Sequence, residues 1–235
     1  MGRAFEKRKH KMFARYEKMA KTFTRIGREI SMAVKQGGPN PDGNPRLRMV
    51  IQNAKAANMP KDRVENAIKK ASSLDEKDYE EITYEGYAPG GVALLIECAT
   101  NNPTRTVANI RMYFSRHEGT FGKSGSVDYL FERKAIFKIA AEGRNVDELE
   151  LDLIDFGADE VYEEDGNIFI YTSFADFGKM QKALEDRNIA IISSELQRIP
   201  LNLVEVSPET EKLVNNLVEA LQEDDDVQHV FQNTK

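Results

Sequence analysis

The apolar residues of this chain change their repeat at Ser72. Before it they recur at helical spacing. Phe23, Ile26, Gly27, Ile30 and Val34 fall at i, i+3, i+4, i+7 and i+11, and both Leu47, Val50, Ile51, Ala54 and Val64, Ala67, Ile68, Ala71 repeat that spacing. Each set lays one apolar stripe along a 3.6-residue helix. A helix with one stripe must bury it against a neighbour, so the pattern predicts three short helices around a shared centre. Gly37-Gly38-Pro39 stops the first, Asn44-Pro45 offers an N-cap with proline at the first helical position, and Pro60 is placed to open the third in the same way. An earlier segment, Phe5 to Ala20, has a weaker stripe of Met12, Tyr16, Met19 and Ala20.

Past Ser72 strands alternate with helices. Between Ala135 and Pro200, "AIFKIA" reads as a strand and Asn145 with Glu148 as the capped start of a helix striped by Val146, Leu149, Leu153 and Phe156. "DEVYEED" and "NIFIYTS" form a hairpin around Gly166, Ser173 with Asp176 opens a second helix, and "AIISSELQRI" is a last strand. The order is β-α-β-β-α-β, the ferredoxin-like pattern. The flanks give a second copy: "GVALLIECAT", a helix from Pro103 to Glu118, "SVDYLF", then "LNLVEV", a helix opened by Ser207-Pro208, and "VQHVFQ". "EEITYEGY" adds a strand ahead of it. The predicted class is α+β: a basic N-terminal helical bundle (1–77) followed by two ferredoxin-like α/β domains, one discontinuous (78–133 plus 201–235) and one inserted into it (134–200). An insertion at a hairpin is tolerated because chain ends there lie close together.

Charge follows the same division. Through Ser72 there are 18 Lys and Arg against 6 Asp and Glu; the remainder has 15 against 33, so a segment of +12 precedes one of −18 in a chain of net −6. This points to a polyanion-binding front on an acidic body. The alternative is that the basic face docks on the acidic remainder. Arg25, Arg28, Lys35, Arg46, Arg48, Lys55, Lys61, Arg63, Lys69 and Lys70 all fall off the apolar stripes and are expected to face outward. Lys7, Arg8, Lys9, Lys11, Arg15, Lys18 and Lys21 share a segment with Phe5, Phe13, Tyr16 and Phe23; cations hold phosphates and aromatic faces stack on unpaired bases. The expected nucleic-acid-binding set is these two groups of cations apart from Lys18. No RNP, zinc-finger or recognition-helix signature accompanies them, so base-specific readout is not predicted.

Enzyme chemistry finds no support. His10, His117 and His229 are far apart, with no HExxH or CxxC, so neither a metal nor a cofactor is expected. "GTFGKSGS" (119–126) fails as a P-loop because position 117 is His117 and the loop precedes a strand. It fails as a nucleophile elbow because Ser126 stands where the last glycine belongs. It reads as a plain helix-to-strand connection, or as a loop whose amides and Lys123 touch a phosphate or partner. Pro89-Gly90 suits a type II turn. The lone Cys98 lies in an apolar run and excludes an intrachain disulfide; with no apolar run long enough to span a membrane and no h-region in Met1–Lys21, the chain is expected to be cytoplasmic.

Together "GGPNPDGNPRLR", "AANMPKDRVENAIKKA", "YEGYAPGGVALLIECATNNPTRTVANIR" and "GSVDYLF" resemble the YebC/PmpR family over nearly the whole chain. The resemblance implies a helical N-terminal domain, two α/β domains and a non-enzymatic regulator of gene expression. Bacterial members are described as probable transcriptional regulators binding promoter DNA; mitochondrial members are known as translational activators of a cytochrome oxidase subunit. DNA is therefore the first expectation, RNA or the ribosome the second, and a protein–protein adaptor working through the acidic domains the third. Relatives usually begin with a "GHSKWANIKHRK"-like stretch, which here reads "GRAFEKRKHKMF" without tryptophan, and their "GGSLG"-like loop is altered to "HEGTFGKSG".

Overall fold

The structure is a computed structural model that describes the backbone of residues 3–73 and 78–235 and, within these, the side chains from residue 18 onward. Helix α1 (Arg3–Gly37) is continuous, so the weak early segment and the first striped segment form one rod. It ends where Gly38 turns left-handed at φ +83° and donates its N–H to Val34 O at 2.8 Å. Helix α2 (Pro45–Ala56) starts at the Asn44 cap, whose side chain accepts from the Leu47 amide. Helix α3 (Lys61–Ala71) starts one residue later than the proline pattern suggests: Pro60 is the cap, extended at ψ 138°, and not the first helical residue. The three stripes meet in one core of Ile26, Ile30, Ala33, Val34, Leu47, Val50, Ala54, Val64 and Ala71.

Two antiparallel four-stranded sheets follow. Strands β1 (Glu80–Ala88) and β2 (Val92–Thr100) form a hairpin through Pro89-Gly90, where Gly90 takes φ +76°, ψ 9°, as the third residue of a type II turn should. Helix α4 (Pro103–Arg116) leads to the two-residue strand β3 (Thr120–Phe121). Then come β4 (Phe131–Ala140), α5 (Val146–Leu153), β5 (Ala158–Glu164), β6 (Asn167–Ser173), α6 (Phe177–Asp186) and β7 (Ile191–Pro200), and finally α7 (Pro208–Glu223) and β8 (Val227–Gln232). The sheets are ordered β3-β1-β2-β8 and β5-β6-β4-β7.

The second sheet has the predicted connectivity: its third strand, β6, sits between the first two, and its fourth lies beyond the first. The first sheet reaches the same spatial order by another route. Strands β2, β3 and β8 hold the first, second and fourth places, but the third is filled by β1, which precedes them all in the chain. Two expected strands are therefore absent. Residues 201–206 find their place beside β2 already taken. Beyond the first of them, whose amide donates to Leu130 O, they make a parallel bridge from Val204 to Thr234 and leave Leu201 57% and Leu203 54% exposed. Of "SVDYLF", Asp128–Leu130 is a 3-10 turn and only Phe131 joins β4. Gly86 of β1 is required by this crossing: a Cβ there would meet the Phe114 ring and Thr120 O at 2.6 Å.

The chain enters and leaves the second sheet at adjacent points, since Phe131 pairs with Pro200 and the Leu201 amide donates to Leu130 O at 2.9 Å. The bundle docks on the outer strand of that sheet. Leu196 of β7 and Phe177 pack into the helical core, and Asn53 of α2 exchanges two hydrogen bonds with the Ser194 backbone, at 2.7 and 3.0 Å. Asn53→Ala removes both and leaves buried strand groups unpaired. It is expected to cost about 1–2 kcal/mol, read as a lowered urea midpoint. An unchanged midpoint would show that the joint contributes nothing.

Candidate nucleic-acid interface

Much of the expected cationic face is turned inward. Arg25 and Arg28 project from α1 onto the turn between α7 and β8. Arg25 donates to Gln222 O at 2.8 Å and Val227 O at 3.1 Å; Arg28 donates to Ala99 O at 3.0 Å, to Asp225 O, and to the Asp226 carboxylate at 3.0 Å. Lys21 pairs with Glu223 one turn earlier. The cause lies in α7: its last turn holds no cation and its end carries Glu223, Asp224 and Asp225, the wrong sign for the negative pole of a helix. Helix α1 supplies from outside the positive charge that α7 lacks. Burial lowers the Arg25 pKa, and the charges of Glu223, Glu29 and Asp225 work against that fall.

Three further cations have acidic partners: Lys35 with Asp78 at 3.1 Å, Arg46 with Glu81, and Arg48 with Glu185 at 3.2 Å. The outward orientation predicted for Arg25, Arg28, Arg46 and Arg48 is thus corrected, while Lys35 stays exposed in a surface pair with Asp78. A stripe analysis finds which face of a helix avoids the core, but not what docks there from residues up to 202 positions away.

What remains in solvent is mainly α3. Lys61, Arg63, Lys69 and Lys70 are exposed on its outer side, and Lys55 and Lys18 are exposed on α2 and α1. Lys61 pairs with Glu65 at 3.4 Å, but its side chain is 90% exposed, a geometry worth little in water. Arg63 lies over the half-buried Phe23 ring at 5.7 Å. The side chains of Lys7, Arg8, Lys9, Lys11 and Arg15 lie outside the described residues.

The glycine loop has a structural occupation. Glu85, 4% exposed, points from β1 into it and accepts from the amides of Gly125 at 2.7 Å, Val127 at 2.6 Å and Asp128 at 3.0 Å. Burial alone would raise its pKa; the amide hydrogen bonds overcome this and hold the carboxyl below the usual range. These donors are spent on an internal carboxylate, which leaves Lys123 as the loop's exposed cation. Cys98 is 2% exposed, and burial pushes its thiol pKa far up, so it is core.

Sequence reasoning missed the densest polar site. Asp226, 2% exposed, receives Arg28 on one oxygen and Arg105 (2.6 Å), Thr106 (2.7 Å) and Thr100 (3.1 Å) on the other. Burial acts to raise its pKa, but hydrogen bonds from Arg105 and Thr106 and the charges of Arg105 and Arg28 outweigh this and lower it. Its only sequence signal was one Asp in an acidic run. Among the described residues no cluster of three His, Cys, Asp or Glu side chains could hold a metal ion, and no helix is long and apolar enough to cross a membrane.

Comparison with known proteins covers the whole of this architecture. The family model described as the TACO1/YebC protein N-terminal domain matches residues 3–74, and that of the TACO1/YebC second and third domain matches residues 79–234. A "Probable transcriptional regulatory protein" of Cytophaga hutchinsonii is 54% identical across 99% of this chain and 98% of its own length. One of the same name from Flavobacterium johnsoniae is 55% identical across 100% and 99%. The crystal structure of a conserved hypothetical protein from Aquifex aeolicus, 40% identical, superposes with a TM-score of 0.79 over 92% of this chain and 90% of that one.

Proposed function

Because the chain belongs to the TACO1/YebC family, we propose that it is a non-enzymatic regulator of gene expression that binds duplex DNA through the outward arc of α3, flanked by Lys55 and Lys18. The observation that carries this is the group of solvent-exposed cations Lys61, Arg63 and Lys69 on a protein whose net charge is −6. The names of its relatives point the same way. The docked cations Lys21, Arg25 and Arg28 belong to the scaffold in this reading, and the same reading divides the chain at residues 77/78, 133/134 and 200/201.

The test is salt-dependent binding of a DNA duplex to full-length protein. Each phosphate contact contributes a log–log slope of about −0.9. Lys61→Ala/Lys69→Ala is expected to flatten the slope by roughly 1.8, while Lys21→Ala leaves it unchanged. Equal slopes for wild type and the double variant would refute the α3 interface.

A second reading, RNA bound at the ribosome, is favoured by the Arg63–Phe23 pair, a guanidinium over an aromatic ring beside exposed cations, which suits unpaired bases. Tighter binding to single-stranded RNA than to duplex DNA at equal salt, with ribosome co-sedimentation lost to RNase but not DNase, would select it.

A further inference from the structure

The helical bundle and both sheets meet around a cleft of about 200 Å³. One water takes about 30 Å³ in the liquid, so the space suits a small organic group. Met32, Met49, Val50 and Leu196 supply apolar walls from three different elements.

Two polar side chains on the floor lack partners. Gln228 is 7% exposed and Ser194 fully buried, yet neither the Gln228 amide nitrogen, its oxygen, nor Ser194 Oγ meets a hydrogen-bonding group of the protein. A buried unpaired polar group costs on the order of 1–3 kcal/mol, so its retention calls for a reason. The backbone shows how Gln228 comes to be there. Glu97 pairs with His229 and Cys98 with Val227, so Gln228 is an extra residue in β8. Bulges of this kind re-aim a side chain and are common beside binding sites.

An exposed cation without an ion pair among the described residues lines the cleft. Arg133 of β4 lies directly opposite Arg198 of β7, an unfavourable like-charge pair. Arg198 is compensated by Glu97 at 3.1 Å and Asp128 at 3.0 Å. Arg133 makes no ion pair among the described residues and rests its guanidinium on the Phe174 ring at 3.7 Å. Glu29, Glu81, Glu97 and Glu195 also line the cleft, which disfavours a polyphosphate.

We propose that this cleft binds one nucleoside monophosphate unit, with its base between the methionine walls, its phosphate at Arg133, and its edge on the Gln228 amide, whose two polar atoms are out of solvent contact in this structure and must turn toward the cleft to meet it. A primary amide sets one donor beside one acceptor, the pattern that pairs with adenine N6 and N7. Thioethers pack well against aromatic rings, and guanidinium suits phosphate. The unit is either a free mononucleotide or an unstacked nucleotide of a bound strand; only the second source rests on the nucleic-acid reading above.

The experiment follows the Met32 and Met49 methyl resonances of the full chain during titration with AMP, adenosine, inorganic phosphate and single-stranded oligoadenylate. Saturable shifts with AMP, weakened about tenfold in Gln228→Leu and in Arg133→Met and unchanged in Lys61→Ala/Lys69→Ala, support a free nucleotide. Shifts with oligoadenylate alone, lost in Gln228→Leu, support the strand. Silence of both methyls with every probe overturns the proposal, as does a response to phosphate equal to that with AMP. Oligoadenylate binding that keeps its salt slope while the methyls stay still would sink the cleft alone and leave the α3 surface standing.

Discussion

Asp226→Ala is expected to destabilise the protein by about 3 kcal/mol, a fall in melting temperature of roughly 6–12 °C for a chain of this size. The carboxylate is 2% exposed and joins three parts of the molecule: Arg28 from the bundle, Arg105 and Thr106 from α4, and Thr100 at the end of β2. Removing it leaves the Arg28 guanidinium, 14% exposed, with two carbonyls and no counter-charge. Breaking one side of a buried pair costs more than the pair contributes, because the other charge stays desolvated. Arg105 is half exposed, so water takes back part of that loss, and the figure lies at the low end of the usual range. The pH dependence has a definite sign. The folded pKa of Asp226 is lowered, so its contribution is complete above the ordinary aspartate range and is lost as pH falls through the folded value. The gap between wild type and variant should be constant from neutral pH to about 5 and close below about 4. A variant within about 1 kcal/mol of wild type at pH 7 would show that the three-way junction is held by packing alone.

Glu85 carries the second large effect. Its carboxylate gathers three amides of the 125–128 segment with no Lys or Arg involved. Hydrogen bonds to a charged acceptor are each worth about 1.5–3 kcal/mol, so Glu85→Ala is expected to cost about 2–3 kcal/mol after loop relaxation and water entry. Glu85→Gln should do no better despite its near-identical shape. The two oxygens divide the donors, Gly125 on one and Val127 with Asp128 on the other, so an NH₂ group on either side faces an N–H. Hydrogen exchange at Gly125, Val127 and Asp128 is the direct readout, and both variants should raise it well before global unfolding. If Glu85→Gln exchanged as slowly as wild type, the charge would be irrelevant to the loop. The lowered Glu85 pKa adds to the acid loss in the same direction as Asp226.

These two carboxylates also explain where the sequence was legible. Helical stripes and caps are local: Asn44, Asn145 and Ser207 cap the helices their spacing indicated, and the stripes of α1, α2 and α3 meet as expected. The 131–200 sheet was equally plain because its strands follow one another in the chain. The misread strands failed for non-local reasons. "SVDYLF" alternates like a strand, but Glu85 has already claimed the amides a ladder would use. "LNLVEV" was displaced by β1, whose membership no window near residue 201 could reveal. The basic face divided similarly: charge and stripe placed Arg25 and Arg28 off the core, while the carbonyls that receive them lie near the far end of the chain. The mispaired Gln228 depends on a one-residue slip between strands and left no mark in composition.

The paired crossings at Leu130–Phe131 and Pro200–Leu201 have a mechanical consequence. A unit tethered by one strand can swivel; one tethered by two adjacent antiparallel strands can only flap about the line joining them. Arg198, two residues before the Pro200–Leu201 crossing and clamped between Glu97 and Asp128, ties the inserted unit to the first sheet beside it. Opening of the inserted unit against the first sheet is therefore confined to a single degree of freedom, with torque carried through the crossings rather than dissipated as free rotation.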